Sequence, residues 1–139
     1  MTKKDQNKMK ISLDEIMDKI KSKLKNEYDI VVAISRGGIL PGILISKFLN
    51  IPMEIIYLKL RDDNHKKVFE APKVVKPFDI DLAGKKIILV DDVSNSNLTL
   101  NKAKELINSK NITTLVISGN ADISLFGPHD RCIIWPWNK

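Results

Sequence analysis

The sequence predicts an α/β fold in which helices cover both faces of a parallel sheet. Continuous apolar runs rich in β-branched residues occupy positions 28–34 and 86–90, and such runs are typical of strands buried on both faces. Segments with helical spacing of apolar residues alternate with these strands, which favours parallel strands joined by helices. In sheets of this kind, ligands bind beyond the carboxyl ends of the strands, where the strand order reverses.

The composition predicts one globular domain over residues 1–139, because 43% of the residues are hydrophobic and 29% are charged. No apolar run approaches the roughly 20 residues of a membrane helix. The basic start is not followed by the apolar segment of a secretory signal. We therefore expect a cytoplasmic protein with no membrane partner. Cys132 is the only cysteine, which excludes an internal disulfide and a multi-cysteine zinc site.

The net charge of +6 favours anionic partners, and residues 1–25 contribute eight lysines against four acids. This segment could contact nucleic acid, or it could be a solvated helix face beside a phosphate-binding site. Nucleic-acid readers tend to interleave arginine and aromatic residues with lysine. No aromatic residue precedes Tyr28, and the three arginines of the chain are widely spaced. A nucleic-acid partner is therefore not favoured.

The first element is a helix over about 12–25. Ser12 and Glu15 have the spacing of a capping box, in which each side chain accepts a hydrogen bond from the other residue's backbone amide. Apolar residues then recur at helical spacing, as Leu13, Ile16, Met17, Ile20 and Leu24.

The next elements are a strand at 28–34, a glycine turn, a helix whose start suits Pro41, and a second strand at 51–60. Residues 61–79 are polar and interrupted by proline. A connection of this length in a compact domain is usually a working loop. We expect it to be a flexible flap.

The second half of the chain continues the alternation of strands and helices. A strand at 86–90 is followed by a helix from Leu98 to about Ser109. A fourth strand at 113–118 and a short closing strand at 132–135 complete the prediction.

Two segments at strand ends are candidate ligand-binding segments. One of them is DDVSNSN, which follows the third strand. A helix start offers free backbone amides and a positive dipole end, which together hold a phosphate. Ser96 and Thr99 could add hydroxyl donors. Asp91 and Asp92 would repel a phosphate, but carboxylates accept hydrogen bonds from a vicinal diol and bind Mg²⁺. The pattern fits a ribose 5-phosphate; a plain helix cap with two exposed acids would satisfy it equally well.

The second such segment is SRGG, after the first strand. Gly37 and Gly38 would allow the backbone to approach an anion closely, and Arg36 offers a charged fork for diphosphate. An ordinary glycine turn between a strand and a helix is the alternative. Because two segments of one small sheet are each suited to bind an anion, we favour the interpretation that they bind a phosphorylated ligand.

These residues carry a family resemblance. YDIVVAISRGGILPGILISKFLNIP and KIILVDDVSNSNLTL resemble the diphosphate loop and the phosphoribosyl-diphosphate (PRPP) loop of type I phosphoribosyltransferases. The resemblance is to the bacterial and archaeal xanthine-guanine and hypoxanthine enzymes, whose Pro-Trp-acid ending is echoed by residues 135–138. It implies a single-domain, Rossmann-like phosphoribosyltransferase fold with a flap at about 61–79 and a C-terminal hood at about 120–139.

The resemblance also implies a reaction and its partners. The family transfers ribose 5-phosphate from PRPP to a nucleobase, with Mg²⁺ as cofactor, and its members are often dimers or larger. Asp91 and Asp92 would hold the ribose diol and the metal, with Asp92 as the main metal contact. The implied phosphate ligands are Asn95, Ser96, Asn97, Leu98 and Thr99 for the 5-phosphate, and Ser35, Arg36, Gly37 and Gly38 for diphosphate.

Several positions depart from the family pattern. Asn95 stands where the family has a catalytic Asp, and an amide cannot accept the proton that a general base takes. Asn97 replaces a glycine, but Asn tolerates positive φ and could keep the loop shape. In the implied nucleobase pocket, Asn120 replaces a lysine, Cys132 an aromatic residue and Asn138 an acid, while Ile133 lies beside Cys132.

The sequence thus predicts a Mg²⁺-dependent phosphoribosyltransferase of the purine-salvage kind with an altered base pocket. The alternative is a protein on the same scaffold that binds PRPP or a nucleotide, has lost catalysis and acts in regulation. A basic nucleic-acid-binding module is the third and least favoured hypothesis.

Overall fold

A computed structural model describes residues 8–59, 72–128 and 132–137. The helices are α1 (Leu13–Lys23), α2 (Ile39–Leu49) and α3 (Leu98–Leu106). The strands are β1 (Lys8–Lys10), β2 (Ile30–Ser35), β3 (Met53–Lys59), β4 (Lys73–Val74), β5 (Ile87–Ser94), β6 (Ile112–Gly119), β7 (Ile123–Ser124) and β8 (Cys132–Ile134).

The main sheet has six strands in the order β4-β3-β2-β5-β6-β7. All neighbouring pairs are parallel except β3 and β4, which are antiparallel. The central pair is β2 and β5, with Ile30 opposite Ile87 and Ala33 opposite Val90. The predicted α/β class with a largely parallel sheet is therefore confirmed.

Both faces of the sheet are buried, because successive side chains of the central strands enter two different apolar clusters. Val31 and Ile88 pack in a cluster with residues of α1 and α2. Val32 and Leu89 pack in a second cluster with residues of α3. This arrangement explains why β2 and the start of β5 are continuous apolar runs rather than alternating ones.

The first helix begins as its sequence predicts. The amide of Glu15 donates to Ser12 Oγ at 3.1 Å, and the amide of Ser12 donates to Glu15 Oε1 at 3.2 Å. Ile16 and Ile20 of α1 are fully buried. Capping and burial together fix this helix against the sheet.

The structure corrects the predicted end of the third strand. β5 continues past Val90 to Ser94, so Asp91 and Asp92 are strand residues rather than loop residues. The reason is pairing with the long strand β6, in which Asp91 lies opposite Val116 and Ser94 opposite Gly119. Asp91 and Asp92 interrupt the apolar run from which the strand was predicted, so the sequence pattern does not show that the pairing with β6 continues through them.

Three short strands were not predicted: β1, β4 and β7. β1 pairs in parallel with β8 in a separate two-stranded sheet, so the two ends of the described chain meet. β4 lies in the described part of the expected flap, where it pairs with β3; residues 61–71 of that flap lie outside the described residues. No helix in the described part of the chain is long and apolar enough to cross a membrane.

Candidate active site at the sheet switch point

The candidate site lies where the strand order reverses. From β2 the chain moves to β3 on one side of the sheet, whereas from β5 it moves to β6 on the other side. The carboxyl ends of β2 and β5 are therefore neighbours at the switch point, where open α/β sheets bind ligands. Residues 35–38, here called the glycine turn, begin with the last residue of β2, and residues 95–99, here called the phosphate loop, follow β5.

The glycine turn and the aspartate pair are in direct contact. A Cβ atom at Gly37 would overlap the carboxylate of Asp92, and one at Gly38 would overlap the carbonyl oxygen of Val90. Gly38 therefore requires glycine for the close approach of β2 and β5, whereas a side chain at Gly37 would displace the Asp92 carboxylate. The structure brings Asp92 opposite the turn, as the sequence predicts for two parts of one site.

The glycine turn leads directly into α2. The peptide bond between Ser35 and Arg36 is cis, Ser35 is half-buried and Arg36 is exposed. Gly38 donates to the carbonyl of Ile34 at 2.8 Å, and no side chain caps the helix that follows. Within the described residues the amide of Gly37 makes no protein hydrogen bond. An anion could accept from it.

The two aspartates have different surroundings. Asp91 is 8% exposed, and its Oδ1 accepts a hydrogen bond from the amide of Asp92 at 2.8 Å. Burial raises the pKa of Asp91 well above its ordinary value, and the neighbouring charge of Asp92 raises this pKa further. Asp92 is half-buried, and its Oδ1 accepts from the amide of Val93 at 2.7 Å. Asp92 is thus the more accessible acceptor.

The phosphate loop has the shape that its sequence predicts. Asn97 adopts the left-handed conformation, with φ 62°, and caps α3. The hydroxyl of Ser94 donates to Asn97 Oδ1 at 2.7 Å. The amides of Ser96, Asn97 and Thr99 donate to no acceptor in the part of the chain that the structure describes. The loop therefore presents unpaired donors at a helix start, which is the arrangement that holds a phosphate.

The end of β6 supports the phosphate loop. The amide of Asn120 donates to the carbonyl of Ser94 at 2.7 Å, and its Nδ2 donates to the carbonyl of Asn95 at 3.2 Å. Gly119 has φ 116°, and a Cβ there would overlap the backbone of Ser94. Ser94 and Gly119 were not predicted as site residues. The sequence signal for this contact was a glycine at the end of a strand. Such a glycine indicates a close backbone approach, but it does not show which residue lies against it.

Apart from Asn120, which follows β6, the residues predicted for the nucleobase pocket lie in and after β8 along the chain. Ile133 is half-buried and packs against the cluster of α1 and α2, with Met9 of β1 as its strand partner. Trp135 and Trp137 stack on each other, with ring centroids 5.2 Å apart. Asn138 and the side chain of Cys132 lie outside the described part of the structure.

The model of the phosphoribosyl transferase domain matches residues 4–119. The chain belongs to the phosphoribosyltransferase family. The purine phosphoribosyltransferase of Pyrococcus horikoshii has a similar structure, with a TM-score of 0.77 and 25% identity, over 96% of this chain and 95% of that one. A Neisseria gonorrhoeae protein described as hypothetical, with bound ppGpp, gives a TM-score of 0.75 and 28% identity, over 95% and 89% of the two chains.

A curated member of the phosphoribosyltransferase family is also similar. The orotate phosphoribosyltransferase of Sulfurisphaera tokodaii is 33% identical over 107 residues, which are 74% of this chain and 50% of that protein. The chain thus spans about half the length of this relative. The similarity supports the family and leaves the base that this chain would use as a question for experiment.

The donor set at the switch point fits the Mg²⁺ that the family uses. Mg²⁺ is commonly held by one or two carboxylates together with substrate phosphate oxygens, and it keeps several waters. Asp92 offers such a carboxylate facing the glycine turn. Among the described residues no group of three or more His, Cys, Asp and Glu side chains forms.

Proposed function

We propose that the protein is a Mg²⁺-dependent phosphoribosyltransferase that transfers ribose 5-phosphate from PRPP to a nucleobase, of purine type, and releases diphosphate. The observation that carries this proposal is the contact between Asp92 and Gly37 at the switch point. Asp92, the proposed acceptor for the ribose diol and the metal, lies directly beside the turn proposed for diphosphate, and the phosphate loop follows the strand that carries Asp92.

Each part of PRPP would have its own binding element. The 5-phosphate would accept hydrogen bonds from the phosphate loop (Asn95, Ser96, Asn97, Leu98 and Thr99) at the start of α3. Diphosphate would contact the glycine turn (Ser35, Arg36, Gly37 and Gly38). The ribose hydroxyls would donate to Asp92 and Asp91, with Asp92 as the main metal contact because it is the more accessible.

The bond from the ribose carbon to diphosphate breaks and a bond from that carbon to a base nitrogen forms, so the base must lose a proton. Asn95 lies on the phosphate loop where the family has an aspartate, and an amide cannot take that proton. Binding of PRPP needs no proton acceptor. We therefore propose that affinity for PRPP is retained better than turnover.

A nucleobase pocket is proposed between the end of β6 and β8, formed by Asn120, Cys132, Ile133 and Asn138. Purine is proposed over orotate because the structural similarity to the purine enzyme covers 96% of this chain. The similarity to the orotate enzyme covers 74% of this chain. Orotate therefore belongs in the test.

The test measures PRPP consumption with Mg²⁺ and a panel of hypoxanthine, guanine, xanthine, adenine and orotate. We expect diphosphate release with at least one purine. Release with orotate alone would replace the purine proposal. If none of the five bases gives diphosphate release at high protein concentration, although PRPP binds, the result would instead support the second candidate.

The second candidate is a regulatory protein that binds PRPP or a nucleotide without turnover. Two observations favour it: Asn95 in place of an acid, and the similarity to a protein that carries bound ppGpp. Titration calorimetry with PRPP and with ppGpp would detect this binding. Heat from either ligand in a protein that shows no turnover is the expected result, and absence of heat from both would exclude the two candidates together.

We also propose that residues 1–139 act as one cytoplasmic domain, with residues 61–79 as a flap that excludes water during transfer and residues 120–139 as the hood over the base. A homo-oligomer is proposed because α2 exposes Leu40, Ile43 and Phe48 by 36%, 39% and 39%. Exposed apolar groups of this kind often mark protein contacts.

A further inference from the structure

Asn120 makes two hydrogen bonds to successive carbonyl groups beside the phosphate loop, and we infer that it is a positioning residue that holds this loop in its PRPP-binding shape. The inference rests on the proposed function, since it assigns a role in binding PRPP. It differs from the base contact proposed above for the same residue, because it predicts an effect on the other substrate.

The contacts are specific in direction. The backbone amide of Asn120 continues the β5–β6 pairing by donating to Ser94 at 2.7 Å, and the side chain then reaches one residue further, to the carbonyl of Asn95 at 3.2 Å. Gly119 brings the two backbones close enough, since a Cβ there would overlap Ser94. Asn120 therefore joins a rigid, buried strand to the first residue of the phosphate loop.

The phosphate loop has few other supports. Its amides at Ser96, Asn97 and Thr99 have no acceptor among the described residues and are available to a ligand. Its internal side-chain contacts are the bond from Ser94 to Asn97 and a long one, 3.5 Å, from the amide of Leu98 to Ser96 Oγ. A loop with so few internal hydrogen bonds loses conformational entropy when a ligand orders it. A contact that orders the loop before binding lowers this cost and therefore increases affinity.

A cavity adjoins the phosphate loop at Asn97. This cavity, of about 290 Å³, lies between the start of α3 and the turn after β6. Its lining residues are Asn97, Leu100, Asn101, Lys104, Thr114, Asn120, Ala121 and Asp122. Because no side chain of the described residues fills this space, Asn97 is not packed on that side, and the hydrogen bond from Asn120 restrains the loop where packing does not.

The test compares Asn120→Ala with Asn101→Ala. Asn101 is an exposed asparagine that lines the same cavity, and its side chain makes no hydrogen bond in the described part of the protein. We expect Asn120→Ala to raise the Kd for PRPP with Mg²⁺ by about 2- to 12-fold, the effect of one hydrogen bond. We expect Asn101→Ala to leave this Kd unchanged.

The opposite pattern overturns the inference. A raised nucleobase KM with an unchanged PRPP Kd in Asn120→Ala would assign Asn120 to the base pocket instead. Equal PRPP Kd values in the two variants would also exclude a positioning role.

A second measurement does not depend on the proposed function. In the ligand-free protein, ¹⁵N relaxation should show lower order parameters at residues 95–97 in Asn120→Ala than in Asn101→Ala. If the wild-type protein bound no PRPP, the proposed function would be excluded. The order parameters would still test whether the hydrogen bond from Asn120 to Asn95 holds the loop. Equal order parameters in the two variants would show that Asn120 does not hold the loop.

Discussion

Asn95 separates binding from catalysis at the proposed site. Its backbone carbonyl accepts a hydrogen bond from Asn120 and its side chain is exposed at the start of the phosphate loop. The amide can contact a phosphate without repulsion, but it cannot act as a base. In the proposed function, the same residue would favour affinity for PRPP and limit turnover.

Asn95→Asp should restore a proton acceptor. We expect kcat for a purine acceptor to rise by up to about 10²- to 10⁴-fold, the usual effect of a general base. The PRPP Kd should stay equal or rise slightly, because the new carboxylate lies near a phosphate. Steady-state and binding measurements on the two proteins provide the comparison, and an unchanged kcat would show that Asn95 is not at the position of the base.

Asp91 gives a pH-dependent stability. Its pKa in the folded protein is raised, mainly by burial and then by the charge of Asp92. The stability that comes from this group is therefore fully present below its unfolded-state pKa, and it is lost as pH rises through the folded-state pKa.

Asp91→Asn should remove this loss. Relative to wild type, we expect the variant to be more stable at pH 8, and this advantage should shrink or reverse at pH 4.5. The difference corresponds to about 1.4 kcal/mol for each unit by which the pKa is raised. Urea unfolding with EDTA present would measure it, since EDTA keeps metal away from the carboxylate. A variant that is equally or less stable at pH 8 would contradict the burial argument.

At the scale of elements, the glycine turn and β5 form one unit. Gly37 can approach β5 only because it has no Cβ, and the carboxylate of Asp92 fills the space that a methyl group would need. The position of α2 is linked to this contact, since the helix starts two residues after Gly37.

Gly37→Ala should displace either the turn or Asp92. We expect kcat/KM for PRPP to fall by about 10²-fold, the effect of a displacement of about 1 Å at a reacting group. Gly84→Ala is the matched control: Gly84 has open space around its Cβ position and φ +76°, so the change strains only a distant turn. Lower stability without loss of kcat/KM is expected for that control. A loss of equal size in both variants would indicate a general folding effect.

For the whole molecule, α2 connects the site to a possible assembly. One side of this helix packs in the core through Ile45 and Leu49, while Leu40, Ile43 and Phe48 are exposed. A symmetric contact through this surface would bury apolar groups and fix the helix that follows the glycine turn.

Phe48→Lys should therefore weaken the proposed homo-oligomer. Light scattering should give a multiple of the chain mass of 15.8 kDa for the wild type and a smaller mass for the variant. Val75→Lys is the control, because Val75 is also exposed, by 60%, but follows the edge strand β4 and is not part of α2. A wild-type protein that is a monomer at all concentrations would remove the proposal.

The sequence was sufficient for the features that arise from local patterns. Ser12 and Glu15 predicted the start of α1 because a capping box involves residues three apart. The apolar run through Val32 predicted a strand buried on both faces. Asn97 predicted a left-handed residue because its side chain tolerates positive φ.

The sequence by itself thus determined the fold class and the family, and it located the two strand-end segments that the structure brings together. Only the tertiary structure decided that β5 continues through Asp91 and Asp92, that Asp92 faces Gly37 while Asp91 is buried, and that β1 lies beside β8. Each of these features depends on a partner strand distant in sequence. The physical reason is that a strand end is set by its hydrogen-bonding neighbour and a carboxylate's exposure by what packs over it, and neither is encoded in local spacing.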